Sequence, residues 1–411
     1  GFKSRAEALA NPLQIMVTAM LYSDYVGRIA VGRVTAGKIA PGMPVMMVTR
    51  NGEQYKQRVL EVEVFEALGR VKAQEVSAGD ICAVIGLDHV EIGATITDFE
   101  NPRPMTPVSV DEPTVTMAFR VNDSPFAGRD GKFVTGRQVG ERLIKELEKN
   151  VALRVDRVTG DDSWKVSGRG LMHLGVLIET MRREGFELSV GKPTVIMKQI
   201  DGVECEPVET LAVDCPEASQ SDVMSLVLGR RGELRSMDAK AGTSGWIHME
   251  FKVPSRALFG LRTLMLTTTR GEAVMYHNLL GYEPVRGEAP HRAAGVMIGG
   301  EGGAVTAYSL DRLYDRGDFF VKPTDEIYMG QIVGEHCKDN DLEINLVINK
   351  KLSNVRASGS DDAAKIKPMR QMSLEACLEY IESDEMVEIT PNFIRMRKRY
   401  LTENERKRFD K

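Results

Sequence analysis

The first candidate for chemistry is a segment that could cradle a nucleotide phosphate. Residues Gly32–Lys38 spell G-x-x-x-x-G-K, but Ile39 follows where a phosphate loop needs Ser or Thr to hold magnesium. The segment also lies between two stretches with strand-like alternation. A phosphate loop instead opens a helix, so that free backbone N–H groups face the phosphate. We therefore predict a turn between strands, and no catalytic residues or enzyme activity in this chain.

Patterns for metal binding and nucleophilic catalysis are weaker still. The six histidines show no H-x-x-x-H or H-E-x-x-H spacing, and no G-x-S-x-G elbow occurs. Residues 339–341 resemble the start of a calcium loop, but Ile344 stands where that loop requires glycine. We expect no metal and no cofactor bound by these residues.

Charge is distributed unevenly, and this is more informative. The chain has 54 basic and 59 acidic residues, a net charge of −5, yet residues 391–411 contain eight bases and three acids. Residues 371–390 contain six acids and no base. Alternation along residues 394–399 predicts a strand with a basic face suited to phosphate. The alternative for residues 403–411 is a solvated tail.

A second basic segment, residues 349–356, leads into the small polar residues 357–362. Such a composition is typical of a mobile surface loop, and loops of this kind often carry function. The alternative is an ordinary surface loop. The residues that we predict to contact RNA or the ribosome are Lys350, Lys351, Asn354, Arg356, Ser358, Arg395, Arg397, Lys398 and Arg399.

Composition limits the class of protein. At about 100–200 residues per domain, 411 residues predict two to four domains. Apolar residues make up 42% and charged residues 27%, and no run of eighteen apolar residues occurs, so we expect a globular protein without a membrane partner. The five cysteines form no C-x-x-C pair, which favours a reduced, cytoplasmic compartment.

The periodicity of the chain predicts a multidomain β and α+β fold. Short strands with turn residues between them indicate a β-barrel over residues 1–108. Residues 109–192 and 193–283 each follow a β-α-β-β-α-β order, which predicts two ferredoxin-like α+β sandwiches. Residues 284–411 indicate a β-rich C-terminal domain with one helix, capped by Ser373, and a basic tail.

Long stretches of the sequence resemble the translational GTPases. Residues 25–45 (YVGRIAVGRVTAGKIAPGMPV) and 78–87 (AGDICAVIGL) are similar to their second domain, and residues 124–138 and 166–188 to their third. Residues 206–237 and 253–273 resemble the ferredoxin-like fifth domain of elongation factor G. Residues 330–363 and 387–408 (VEITPNFIRMRKRYLTENERKR) resemble the C-terminal domain of the BipA/TypA family.

This resemblance implies the C-terminal part of a ribosome-associated GTPase, without the GTP-binding domain that precedes the barrel in the family. GTP and Mg²⁺ would belong to that absent domain, which would also be a partner of this chain. The resemblance further implies docking in the factor-binding and A-site region, and a link to stress, low-temperature growth and large-subunit assembly.

By the same resemblance, the segment around residues 350–362 would reach the acceptor end of the A-site tRNA and large-subunit rRNA. We expect a monomer. Two alternatives are another elongation factor G-like factor and a structural module that regulates its own GTPase domain without touching RNA.

Overall fold

The computed structural model describes residues 4–23, 25–67, 69–88, 90–106, 112–147, 150, 152–160, 162–239, 245–287, 292–349 and 368–409. Two compact units are present: Gly1–Glu112 with Gly140–Val155, and Pro113–Val139 with Asp156–Lys411. The finer division into four domains stays a prediction.

The first unit begins with a short helix and continues as ten strands. These elements are α1 (Arg5–Leu9), β1 (Gln14–Ser23), β2 (Gly27–Ala36), β3 (Lys38–Ile39), β4 (Pro44–Val48), β5 (Gln54–Arg58), β6 (Glu61–Glu66), β7 (Gly69–Lys72), β8 (Val76–Ser77), β9 (Ile81–Ile85) and β10 (Thr95–Asp98). Eight of the strands form one antiparallel sheet in the order β5-β4-β10-β1-β2-β9-β6-β7, and β3 pairs with β8.

The sheet closes on itself, as the strand pattern predicts. β5, at one end of the sheet, runs directly into β6 near the other end. At the junction, the Val59 N–H donates to the Met43 carbonyl beside β4, and the Leu60 N–H donates to the Ile85 carbonyl of β9. The strands enclose one apolar core that includes Ile15, Met47 and Ile96. This is the barrel expected for the first domain.

The phosphate-loop resemblance has a structural explanation in this barrel. Residues 32–39 form the end of β2, a turn at Gly37 and β3. A Cβ at Gly32 would lie 2.2 Å from the Met16 carbonyl oxygen, and Gly37 has a φ of +71° and backbone of Leu13 within 2.8 Å of where its Cβ would be. Both glycines are therefore required by close packing and turn geometry, and the segment opens no helix.

Residues 115–191 form the first α+β module, with one β-α-β-β-α-β order. Its elements are β11 (Val115–Arg120), α2 (Gly136–Leu147), β12 (Arg154–Arg157), β13 (Ser163–Gly168), α3 (Leu171–Glu184) and β14 (Leu188–Gly191). The sheet order β12-β13-β11-β14 is that of a ferredoxin-like sandwich. At the start of α2, Gln138 Oε1 accepts hydrogen bonds from the backbone N–H and the hydroxyl of Thr135, which makes a capping box.

Residues 203–284 form the second α+β module and repeat this order, preceded by the short strands β15 (Thr194–Val195) and β16 (Lys198–Ile200). Its elements are β17 (Val203–Pro216), a 3₁₀ turn (Glu217–Ser219), α4 (Gln220–Gly229), β18 (Glu233–Ala239), β19 (Trp246–Pro254), a second 3₁₀ turn (Ser255–Leu258), α5 (Leu261–Thr268) and β20 (Val274–Pro284). β17 pairs with β19 and with β20, and β19 pairs with β18. Both predicted ferredoxin-like sandwiches are thus confirmed.

The C-terminal region, residues 292–409, is β-rich. Its elements are β21 (Val296–Gly299), β22 (Gly303–Ala304), α6 (Ala307–Leu313), a 3₁₀ turn (Tyr314–Arg316), β23 (Gly317–Phe319), β24 (Glu326–Ile327), β25 (Ile332–His336), β26 (Leu342–Ile344), α7 (Leu374–Tyr380), β27 (Glu385–Ile389), β28 (Ile394–Lys398) and α8 (Glu403–Phe409). Four strands form a sheet in the order β23-β25-β21-β26, and β22 pairs with β24.

Two features of this region differ from the prediction. Ser373 caps α7 as expected, but α6 and α8 are two additional helices, each of seven residues like α7. Residues 403–409 are therefore helical, with the Phe409 ring stacked 3.9 Å from that of Tyr400. More importantly, β27 pairs with β14, so that β27 and β28 extend the sheet of the first module.

Candidate nucleic-acid interface

Five of the predicted contact residues (Lys350, Lys351, Asn354, Arg356 and Ser358) lie outside the described residues. The chain on each side of the gap is held by the C-terminal region. Before it, the Ile348 carbonyl accepts hydrogen bonds from the hydroxyls of Thr306 (2.7 Å) and Ser309 (3.0 Å) at the start of α6. After it, the Arg370 N–H donates to the Phe319 carbonyl of β23 at 2.9 Å. The described residues on both sides of this gap are thus held by one region.

The other four predicted residues lie on or just after β28, whose partner β27 carries two of the six acids that were noted in the sequence. Register pairs Glu385 with Lys398 and Glu388 with Arg395. Opposite charges directly across an antiparallel pair attract each other. Two acids of the acidic block therefore face two bases of the basic block within one hairpin.

Lys398 is the centre of a buried ion cluster. Its side chain is 3% exposed, and its Nζ lies 2.6 Å from Asp341, 2.7 Å from Asp384 and 3.0 Å from Glu385. Burial alone would lower the pKa of Lys398, but the three carboxylates outweigh it and hold this pKa above its ordinary value. The same contact lowers the pKa of Asp341 against the opposing effect of its burial.

The three carboxylates of this cluster are also the candidate ligands for a metal ion. Asp341, Asp384 and Glu385 form the one group of three potential ligands found among the described residues. Carboxylate oxygens suit a hard cation. Here the ammonium group of Lys398 already supplies the positive charge among them, so the arrangement is a lysine-centred ion cluster.

A second cation joins the cluster from the start of the C-terminal region. Arg292 forms a bidentate pair with Glu385, at 2.8 and 2.9 Å, and also donates to the Tyr380 carbonyl at 3.1 Å. Burial acts to lower the pKa of Arg292, but the hydrogen bonds with Glu385 hold it above its ordinary value. Because Glu385 is fully buried, it depends on both cations for neutralisation.

Arg397 and Arg395 connect the hairpin to the first module. Arg397 is 1% exposed and pairs with Asp123, which follows β11. Arg395 lies 3.3 Å from Glu388, and the hydroxyl of Tyr328 donates to the other oxygen of Glu388 at 2.6 Å. Burial, followed by the neighbouring charge of Glu388, raises the pKa of Tyr328 well above its ordinary value, so this phenol stays a donor.

These placements revise the predicted basic face. A phosphate needs an accessible cation, and the side chains of Arg397 and Lys398 are almost fully buried in ion pairs. Arg395 is largely enclosed by Glu388 and two phenyl rings. RNA contact by Arg397 and Lys398 does not fit this geometry, whereas Arg399 is exposed beside the Tyr400 ring. Simple alternation could not reveal this, because the side that β28 turns towards solvent is decided by the sheet it joins.

Glu187 is a buried carboxylate whose role could not be predicted from the sequence. It is fully buried before β14 and accepts backbone N–H bonds from Gly128 (2.7 Å), Asp130 (3.0 Å) and Gly131 (2.6 Å). Its carboxylate therefore organises the glycine-rich loop of residues 124–133. No pattern in the sequence connected this loop with an acid nearly sixty residues away.

The histidines in the described part of the chain contact either a carboxylate or a nearby backbone group. His248 Nδ1 lies 2.6 Å from Asp214, His277 pairs with Glu209, and His336 contacts the Asn340 carbonyl at 2.6 Å. His173 Nδ1 accepts a hydrogen bond from the Arg169 N–H at 3.2 Å, at the entry to α3. None of these contacts brings histidines together as a ligand set among the described residues. Within the same part of the chain, no helix is both long and apolar enough to cross a membrane.

Three family models match successive parts of the chain. Residues 27–97 match elongation factor Tu domain 2, residues 203–293 match the elongation factor G C-terminus, and residues 294–403 match the TypA/BipA C-terminal domain. The first match lies in the barrel, the second contains the second α+β module, and the third contains most of the C-terminal region with its ion cluster.

Curated relatives match nearly the whole chain. A protein named large ribosomal subunit assembly factor BipA is 44% identical over 399 residues in Bacillus subtilis, covering 97% of this chain and 65% of the relative. Proteins of the same name are 44% identical in Synechocystis, covering 94% of the chain and 65% of the relative, and in Salmonella typhimurium, covering 97% and 66%. The chain thus spans just under two thirds of the length of these relatives.

Proposed function

This chain belongs to the BipA/TypA family, and from that premise we propose that it is the ribosome-docking part of a translational GTPase that acts in assembly of the large subunit. The observation that carries the proposal is the 44% identity over 97% of the chain to relatives named for that assembly role. The proposal includes contacts with large-subunit rRNA and the acceptor end of an A-site tRNA, a role in stress and low-temperature growth, and a cytoplasmic monomer. GTP and Mg²⁺ would be bound by a part of the whole protein that these residues do not include.

The ion cluster supports a particular mechanism for docking. Paired charges around the buried Glu385 and Lys398 hold β27 and β28 together with Arg292, which precedes β21, and Asp341, which precedes β26, because any displacement would leave a charge buried without its partner. The same region holds Ile348 and Arg370, which flank the part of the chain that contains Lys350, Lys351 and Arg356. We propose that this region is a rigid base from which the segment is presented to RNA, which is recognised largely by its backbone and shape.

Sedimentation with large ribosomal subunits tests this proposal. The triple variant Lys350→Ala, Lys351→Ala, Arg356→Ala should bind more weakly, and its plot of log affinity against log salt should be less steep by roughly two to three units, about one for each lost phosphate contact. A triple variant of the barrel (Lys38→Ala, Lys56→Ala, Lys72→Ala) removes the same charge elsewhere and is the matched control.

Two outcomes would count against the proposal. Equal salt slopes for the wild type and the triple variant would remove the segment from the interface. If the nucleotide-free chain fails to sediment with ribosomes at all, the second candidate is favoured, namely a structural module that regulates its own GTPase domain without touching RNA.

A further inference from the structure

A row of alternating guanidinium groups and phenyl rings lies where the glycine-rich loop meets the β27–β28 turn. The Arg129 guanidinium carbon lies 4.1 Å from the centre of the Phe126 ring. The Arg395 guanidinium carbon lies 5.1 Å from the centre of the same ring and 4.2 Å from that of Phe393. Cations at such distances are attracted to the face of the ring. The row therefore links two segments that are more than 250 residues apart in sequence.

The two segments that carry the row are fixed to each other. Asp130 of the loop accepts hydrogen bonds from the Thr390 hydroxyl at 2.9 Å and from the Asn392 side chain at 3.3 Å. Glu187 fixes the loop because its carboxylate accepts hydrogen bonds from three backbone N–H groups of the loop. Phe126 also packs edge-on against Tyr328, with ring centres 5.0 Å apart. The loop and the turn are thus fixed to each other, and the Phe393 N–H also donates to the Thr390 hydroxyl at 3.0 Å, so the backbone that carries the outer ring is held in place.

Phe393, at the outer end of the row, is 50% exposed. Arg395, stacked directly on this ring, has a side chain that is 12% exposed and lies 3.3 Å from Glu388, whereas Arg129, at the other end of the row, is 56% exposed and lies 3.2 Å from Glu326. The cation next to Phe393 is therefore not accessible to a phosphate, so charge is not the main attraction at this ring. The site offers instead a fixed aromatic surface, strengthened by a guanidinium group stacked on it.

We propose that Phe393 is a stacking platform for an unpaired nucleobase of single-stranded RNA. This inference rests on the proposed function, and it adds a site that the basic segment does not include. Unpaired RNA bases are commonly bound by stacking on aromatic rings and on arginine planes, and such stacking tolerates any base because every base has a π face. The partner is RNA with unpaired bases, since a base-paired duplex keeps its bases stacked inside the helix.

Fluorescence anisotropy with a labelled, adenine-rich single-stranded RNA oligonucleotide tests the platform directly, without ribosomes. Phe393→Ala should weaken binding roughly ten- to a hundredfold, the range expected for loss of one base–aromatic stack. Phe393→Tyr should bind as the wild type does, because it keeps the ring. Since stacking releases no counterions, Phe393→Ala should leave the salt slope unchanged. The same oligonucleotide annealed to its complement should bind more weakly than the single strand.

Phe65→Ala is the matched control, because Phe65 is a similarly exposed phenylalanine (47%) on β6 of the barrel. Equal affinities for Phe393→Ala, Phe65→Ala and the wild type would overturn the inference. So would reduced sedimentation of Phe393→Ala with ribosomes while its affinity for the oligonucleotide is unchanged, since the partner would then be protein. In either case, ribosome binding by the wild type decides the proposed function separately.

Discussion

The two α+β modules have the same element order and strand order but differ in what lies beside their last strand. In the first module, β14 pairs with β27, with Leu188 opposite Ile389 and Val190 opposite Val387. In the second module, β20 pairs with β17 and has no further partner strand among the described residues. One edge is covered and the other is open.

The side chains of the two last strands differ in burial accordingly. Leu188 and Val190 of β14 are fully buried, whereas Val274, Tyr276 and Leu280 of β20 are each about half exposed. The covered edge also allows polar groups to be buried, because Glu187 finds backbone donors in the nearby loop. Local sequence pattern therefore specifies each module, whereas a segment distant in the sequence decides which surface of the module stays exposed for binding.

The largest expected effect is at the centre of the ion cluster. Lys398→Ala removes one of the two cations that neutralise the fully buried Glu385, and breaking a buried pair in this way costs on the order of 3–5 kcal/mol. The counterpart in the second module is Lys252, which is itself 12% exposed but pairs with Glu283 (2.7 Å) and Glu233 (3.5 Å), whose side chains are 30% and 50% exposed. Lys252→Ala leaves both carboxylates within reach of water, so it should cost only about 0–1 kcal/mol. Chemical denaturation measures both, and equal losses would contradict the contrast.

A matched pair of leucines tests the covered and open edges themselves. Leu188→Ala in β14 should lower the free energy of unfolding by about 2–5 kcal/mol, because it leaves a cavity in a packed region. Leu280→Ala in β20 is expected within about 0.5 kcal/mol of the wild type, since Leu280 is 48% exposed.

The unfolding of each module can be followed through the fluorescence of its own tryptophan. Trp164 lies on β13 of the first module and Trp246 on β19 of the second, and the chain contains two tryptophans. Fluorescence of Trp246→Phe variants therefore reports the first module, and that of Trp164→Phe variants the second. A large effect of Leu280→Ala on the Trp246 transition would show that β20 is covered in solution.

Glu187 provides a smaller test of how the covered edge supports the loop. Glu187→Gln weakens its charge-assisted hydrogen bonds to the loop, and we expect a loss of about 1.5–3 kcal/mol. Hydrogen exchange of the Gly128, Asp130 and Gly131 amides should accelerate, while exchange in the second module stays as it was. Unchanged exchange at these three amides would show that the loop does not depend on this carboxylate.

The smallest effect concerns pH and the second module. Hydrogen bonds with Asp214 and Glu209 raise the pKa values of His248 and His277 above the ordinary 6.5. Their added stability is complete below the ordinary value and is lost as pH rises through the higher values of the folded state. Because both pairs are partly exposed, we expect no more than about 1 kcal/mol in total.

The double variant His248→Gln, His277→Gln should flatten this part of the pH profile when the Trp246 transition is followed. A wild-type stability that rises with pH over the same range would contradict the assignment.

Much of the fold could be predicted from local pattern. The strand alternation and turns predicted the barrel, and two β-α-β-β-α-β orders predicted the two modules. Ser373 was identified as a helix cap because a serine directly before an apolar helical period is a local signal that a helix begins there. The helices α6 and α8 were missed although they are as long as α7. α8 buries no residue, so it has no apolar stripe that could reveal a helix.

The candidate site was predicted less well, for a physical reason. Alternation places Arg395, Arg397 and Arg399 on one side of a strand, but it cannot tell which side the rest of the protein covers. That depends on pairing between β14 and β27, which are nearly 200 residues apart. The aromatic row of Phe126 and Phe393 has the same origin, because its members come from both sides of that contact.

Most strands and helices, the turns between them, the family and the opposite charges of the last forty residues follow from the sequence alone. These properties depend on neighbours in the chain, whose spacing is printed in the sequence. That Lys398 is buried against Glu385, and that the Phe393 ring and Arg399 stay exposed, follows only from the three-dimensional fold. Burial is set by contacts between distant segments, and such contacts have no local period.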